Sequence, residues 1–83
     1  MTELMAERLR MAVLDAAQAY VKEYKERCAD VVESKRNGSD VTELLAAARR
    51  NYYRGALDAL MPIMTILEFD DAKRLIQREM EGA

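Results

Sequence analysis

Eighty-three residues that are 51% hydrophobic and 34% charged, with three Gly and one Pro, exclude a disordered, collagen-like or linker chain and leave room for a single small domain over residues 1–83, which buries only about 60 to 65% of its unfolded surface. Thirteen Lys and Arg against fifteen Asp and Glu, a net charge of −2, argue against nucleic-acid binding through bulk charge, since generic phosphate binding needs a basic excess. With no His, one Cys and no Trp, most imidazole catalysis, disulfide frameworks and zinc sites are missing from the inventory.

The segment MTELMAERLR carries charge at Glu3, Glu7, Arg8 and Arg10, so it lacks the apolar stretch of a signal peptide. The longest uncharged run, Ala59 to Leu67, is too short to span a bilayer. A soluble protein with no membrane partner is expected. The unpaired Cys28 points to a reducing, cytoplasmic setting, because small secreted domains more often staple themselves with paired cysteines.

No Gly or Pro precedes Gly38, and apolar residues recur in steps of three or four from Met5 through Leu9 and Val13 to Val31. The spacing predicts one helix over about 3–36, opened by Thr2 and stopped by Asn37-Gly38. From Leu14 the spacing is a heptad through Ala17, Val21, Tyr24, Cys28 and Val31, suited to a nearly antiparallel or parallel partner helix. Cys28 on that face reads as a small packed hydrophobe.

Asp40 and Glu43 have the spacing of a capping box, which predicts a second helix over about 41–61 and, through the short connection, an antiparallel hairpin. Pro62 is expected to end or kink that helix. Thr65 and Glu68 repeat the spacing, with Met64 and Phe69 placed as a hydrophobic staple, so a last helix is expected over about 66–81; Asp70 competes as its cap. Asp70 and Asp71 lack the spaced oxygens of a calcium loop and read as helix-start carboxylates. No metal or cofactor is implied.

On a helical wheel Val41, Leu44, Leu45, Ala48, Tyr52, Gly55, Ala56 and Ala59 share one arc, with Tyr53, Leu57 and Leu60 beside it. So wide an arc suits a helix touching two neighbours, and Gly55, costing about 1 kcal/mol in a helix interior, suits a close helix crossing. The expected fold is all-α: a long antiparallel helical hairpin with a shorter third helix. Its first helix is too long for the rest to cover, which favours a homodimer in which the first helices pack together, with Leu9, Val13, Leu14, Tyr20, Val21 and Tyr24 as core or dimer residues.

The densest chemistry is RRNYYR, Arg49 to Arg54. Arg50 and Arg54, one turn apart, pair well with phosphate or carboxylate oxygens, with Tyr53 as a flat surface beside them. Arg49 falls inside the apolar arc and is expected to make an ion pair across the hairpin or a dimer seam. Two resemblances also arise. NGSDVTELL, Asn37 to Leu45, resembles the phosphopantetheine site of acyl carrier proteins, though there the Asp precedes the modified Ser and here Ser39 precedes Asp40. The helix order is similar to that of the all-helical chorismate mutases, in which arginines from a long helix bind a dicarboxylate; the resemblance implies Arg10 and Arg27 as counterparts. The pattern around Arg10 and the setting of Gln77 depart from that family, and the loop after Gly38 has no lysine.

The sequence therefore predicts a non-catalytic helical module that binds a protein partner as a regulator, adaptor or inhibitor, a build shared with small phage or mobile-element proteins that block host machinery. A nucleic-acid contact through Arg49 to Arg54 is the competing expectation, and a small enzyme of chorismate-mutase-like architecture a minor one.

Overall fold

The computed structural model describes residues 2–82, so the two end residues of the expected 1–83 domain lie outside it. Three helices follow one another, α1 (Glu3–Asn37), α2 (Asp40–Ile66) and α3 (Asp70–Glu81), and no strand occurs among the described residues. The fold is the expected all-α hairpin with a shorter third helix.

Helix α1 begins and ends where its sequence says it should. Thr2 Oγ1 accepts the Met5 amide at 3.2 Å, satisfying one of the first-turn donors that a helix leaves without partners. At the other end Gly38 takes φ 70°. Its amide donates to the Lys35 carbonyl and the Ser39 amide to the Ser34 carbonyl, both at 3.2 Å, the pair of bonds that a left-handed terminating residue makes possible.

Helix α2 departs from expectation at both ends. Ser39, not Asp40, is the capping residue, and its hydroxyl bonds the Thr42 hydroxyl at 2.8 Å instead of a helix amide. Asp40 and Glu43 instead occupy the first turn, where their charge favours the positive end of the helix dipole. Pro62 does not end the helix, which continues through it to Ile66. Proline removes one hydrogen bond, to the Asp58 carbonyl, and Asp58 and Pro62 are both exposed, so water can serve that oxygen. Beyond the proline, Met64 is fully buried and anchors the last turn.

The expected cap at Thr65 is also absent. Thr65 lies inside α2, where its hydroxyl donates to the Met61 carbonyl at 3.1 Å and accepts from Lys73 Nζ at 2.9 Å. Glu68 instead stops α2 by adopting φ 54°. Its amide reaches the Thr65 carbonyl at 3.1 Å and the Phe69 amide the Met64 carbonyl at 2.8 Å, the same terminating geometry as at Gly38. Met64 and Phe69 do share one hydrophobic cluster, but as the apolar contact that accompanies this stop, not as a staple. Helix α3 therefore starts at Asp70, four residues later than expected, with Asp70 and Asp71 in its first turn.

The hairpin sets a long axis of 53 Å against 19 and 16 Å across. Helix α3 folds back into the groove between α1 and α2 at the end away from the Gly38 turn. There Ala17, Val21, Leu57, Met64, Ala72 and Ile76 form the core, flanked by half-buried Val13, Leu14, Tyr20, Tyr24, Leu60, Met61, Phe69 and Met80. Near the turn only Val31, Ser34 and Ala46 are buried. Arg10 joins the two long helices at the far end, its Nε and Nη2 donating to the Leu67 carbonyl at 3.3 and 3.1 Å. Since α2 has no basic residue in its last turn, Arg10 supplies from α1 the cation that the negative helix end favours.

This packing sorts the expected faces. Val13, Leu14, Tyr20, Val21 and Tyr24 pack in the core of the same chain, and Leu9 alone of the expected core or dimer set is exposed. Of the broad α2 arc, the flank with Tyr53, Leu57 and Leu60 turns inward. The inward seam runs through Ala46, Tyr53, Leu57, Leu60 and Met64, all buried or half-buried, because these carry more apolar volume per turn than the Ala-rich and Gly-containing stretch of the arc.

Candidate functional site: the outward face of the second helix

The arc that the wheel singled out faces solvent. Val41 is 74% exposed, Leu44 75%, Leu45 60%, Tyr52 68% and Ile66 79%, and Ala48, Gly55, Ala59 and Pro62 between them are exposed as well. A Cβ built on Gly55 would meet no atom within 4 Å, so no close crossing occurs there within the chain. The result is a helix with two apolar seams on opposite sides, one covered and one open.

The arginine cluster is split between two flanks of α2, Arg50 and Arg54 on one and Arg49 on the other. Arg54 remains at the surface, 3.6 Å from Asp58 and 6.0 Å over the Tyr24 ring; Tyr24 and Asp58 together raise its pKa above the ordinary guanidinium value. Arg50 is half-buried on the inward side, its Nε donating to Asn51 Oδ1 at 3.4 Å. Tyr53, expected to offer a flat surface, is half-buried with its ring 6.2 Å from that of Tyr20. The free ring is that of its neighbour Tyr52, which meets Tyr53 edge-on at 5.1 Å. The sequence pattern offered Tyr53 as the open ring and the structure opens Tyr52 instead, because the wheel could not say which seam α1 would cover.

Arg49 is exposed and makes no ion pair within 4.0 Å among the described residues, so the pairing expected across the hairpin is not made. The arc that holds it opens to water, so nothing obliges it to pair. It borders a shallow groove of about 300 Å³ that also touches Asp30, Glu33 and Ala46. Arg50 and Arg54 thus share one flank of α2, one turn apart, while Arg49 lies about 100° round the helix from Arg50, so the three form no single basic patch.

Arg10 and Arg27, the pair implied by the chorismate mutase resemblance, lie on one straight helix about 25 Å apart at 1.5 Å rise per residue. Arg10 is bound to the Leu67 carbonyl. Arg27 is ringed by Glu23, Glu26 and Asp30. Its Nε lies 3.0 Å from Asp30 yet lacks a hydrogen-bond partner of good angle, so that contact is coulombic. Within one chain these two residues cannot grip one small ligand. A groove of about 340 Å³ between α1 and α3, lined by Val21, Lys22, Leu75 and Ile76, is bridged by the Lys25–Glu79 ion pair, which holds the Glu79 carboxyl below its ordinary pKa. No helix among the described residues is long and apolar enough to cross a membrane.

Comparison with family models, with curated proteins and with solved structures finds no match to this chain.

Proposed function

We propose that the protein is a non-catalytic helical binding module, a regulator, adaptor or inhibitor that works by docking a protein partner on the outward face of α2. One observation carries the reading: a continuous apolar stripe, from Val41 to Ile66, lies open along the whole of a helix whose other side is fully engaged. Exposed apolar strips of this extent on a folded domain are characteristic of recognition surfaces, and an amphipathic helix face is a recurring way to present anchors at helical spacing. Tyr52 and Leu44 are the large anchors, with Arg49 on one margin and Asn51 and Asp58 on the other. The separation of Arg49 from Arg50 and Arg54, and the pairing of Arg54 with Asp58, favour this reading over contact with nucleic acid, which calls for a shared basic patch. A single Cys28, half-buried, suits a reducing cytoplasm, and the small phage or mobile-element proteins that block host machinery share this economy of build.

The test is affinity capture from a cell lysate followed by mass spectrometry, with the Leu44→Lys/Leu45→Lys double variant beside the wild-type protein. Both leucines are exposed, so helicity by circular dichroism should be retained while the captured partner is lost. Equal capture by the two proteins would remove the α2 face from consideration.

A further inference from the structure

From Val41 to Ile66 the outward positions of α2 advance in alternating steps of four and three, a heptad seam of the kind that pairs with another helix over its full length. We propose that a second copy of this chain covers the seam, its α2 antiparallel to the first about a two-fold axis between Tyr52 and Gly55. This rests on the α2 face being the working surface and names what occupies it.

The order of side-chain sizes carries the choice. Reversed upon itself, the seam sets Val41 against the partner's Ile66, Leu45 against the partner's Pro62, Ala48 against the partner's Ala59, and Tyr52 against the partner's Gly55, each pair occurring twice as an isologous two-fold contact requires. The exposed Tyr52 ring meets the one position where a Cβ is missing and space is open. Ala48 and Ala59 meet as two small residues and let the backbones approach closely. On one margin Asn51 faces the partner's Asp58, an amide donor to a carboxylate. On the other, Arg49 faces the partner's Ala56. No like charges meet. A parallel pairing would instead stack Tyr52 on itself and leave a gap at Gly55.

The area is sufficient. The 27 residues of α2 give a seam of about 40 Å, and its large apolar side chains and margins offer on the order of 700 Å² per copy, near the roughly 800 Å² per partner of a standard stable interface.

Light scattering of the full chain at micromolar concentration should give twice the 9.5 kDa of one chain. In a Cys28→Ser background, Ala48→Cys mixed with Ala59→Cys should form a disulfide-linked pair on mild oxidation. Neither variant should cross-link alone, because equal positions stand about 16 Å apart in the antiparallel register, beyond the roughly 7 Å reach of a disulfide. Tyr52→Asp should keep its helicity and dimerise at least tenfold more weakly. The proposal is overturned by a single-chain mass, by Ala48→Cys cross-linking to itself, or by an undiminished Tyr52→Asp dimer. A single-chain mass together with a captured protein that Leu44→Lys/Leu45→Lys loses would overturn the second copy and leave the binding reading standing; a single-chain mass with unchanged capture would overturn both.

Discussion

Glu68 holds a backbone conformation that costs an L-amino acid roughly 1–2 kcal/mol, and it does so because two amide-to-carbonyl bonds and the Met64–Phe69 contact close only if residue 68 is left-handed. Its side chain is exposed and forms no ion pair among the described residues. Gly38, at the other helix stop, shows what the position prefers. Glu68→Gly should therefore stabilise the protein by about 0.5–1 kcal/mol, the relief of strain being partly offset by the greater freedom that glycine gives the unfolded chain. Urea denaturation measures this directly: an unchanged or lower midpoint at constant slope would show that Glu68 makes a compensating contact.

At the scale of the element, Pro62 is the departure that matters most, since it moved the end of α2 and the start of α3 relative to expectation. The helix runs through it because the burial of Leu57 and Met64 on either side outweighs a loss on the solvent face. Pro62→Ala restores the amide that the Asp58 carbonyl lacks and should raise stability by about 1–2 kcal/mol, less than the roughly 3 kcal/mol intrinsic difference because the unfolded chain also gains freedom. Thermal unfolding followed by circular dichroism reads the effect, and destabilisation would mean that the proline ring is packed and not merely tolerated. Helix boundaries marked by local chemistry, Thr2 and Gly38, were legible in the sequence, as was the hairpin. The boundary at Glu68 was not, since no residue there advertises a positive φ. Nor was the rotation of α2 about its own axis legible. A helix with apolar seams on two sides satisfies the same hydrophobic pattern either way, and only the summed volume of Tyr53, Leu57, Leu60 and Met64 decides which seam turns inward. That single ambiguity explains why Tyr53 stood in the expected site where the exposed ring is Tyr52, and why Arg49 was expected to pair across the hairpin or a dimer seam.

Across the whole molecule, stability is distributed unevenly because α3, with 12 residues against 35 in α1, covers only one end of the hairpin. Ala17, Val21, Leu57 and Met64 sit beneath it, packed against its own Ile76, all at 6% exposure or less. Toward the Gly38 turn the two long helices have only each other, with Val31, Ser34 and Ala46 buried between them and a loose 3.8 Å pairing of Lys35 with Glu43. Local opening follows the amount of apolar surface that must be exposed. Amides of α1 from Val31 to Arg36 should therefore exchange with solvent at least tenfold faster than those from Ala17 to Tyr24, a difference of about 1.4 kcal/mol in opening free energy. Both segments belong to α1, which the proposed α2 seam does not cover, so the comparison is independent of association. Native-state hydrogen exchange resolved by residue decides it. Equal protection along α1 would mean that the hairpin opens as a single cooperative unit, with α3 contributing to both ends alike.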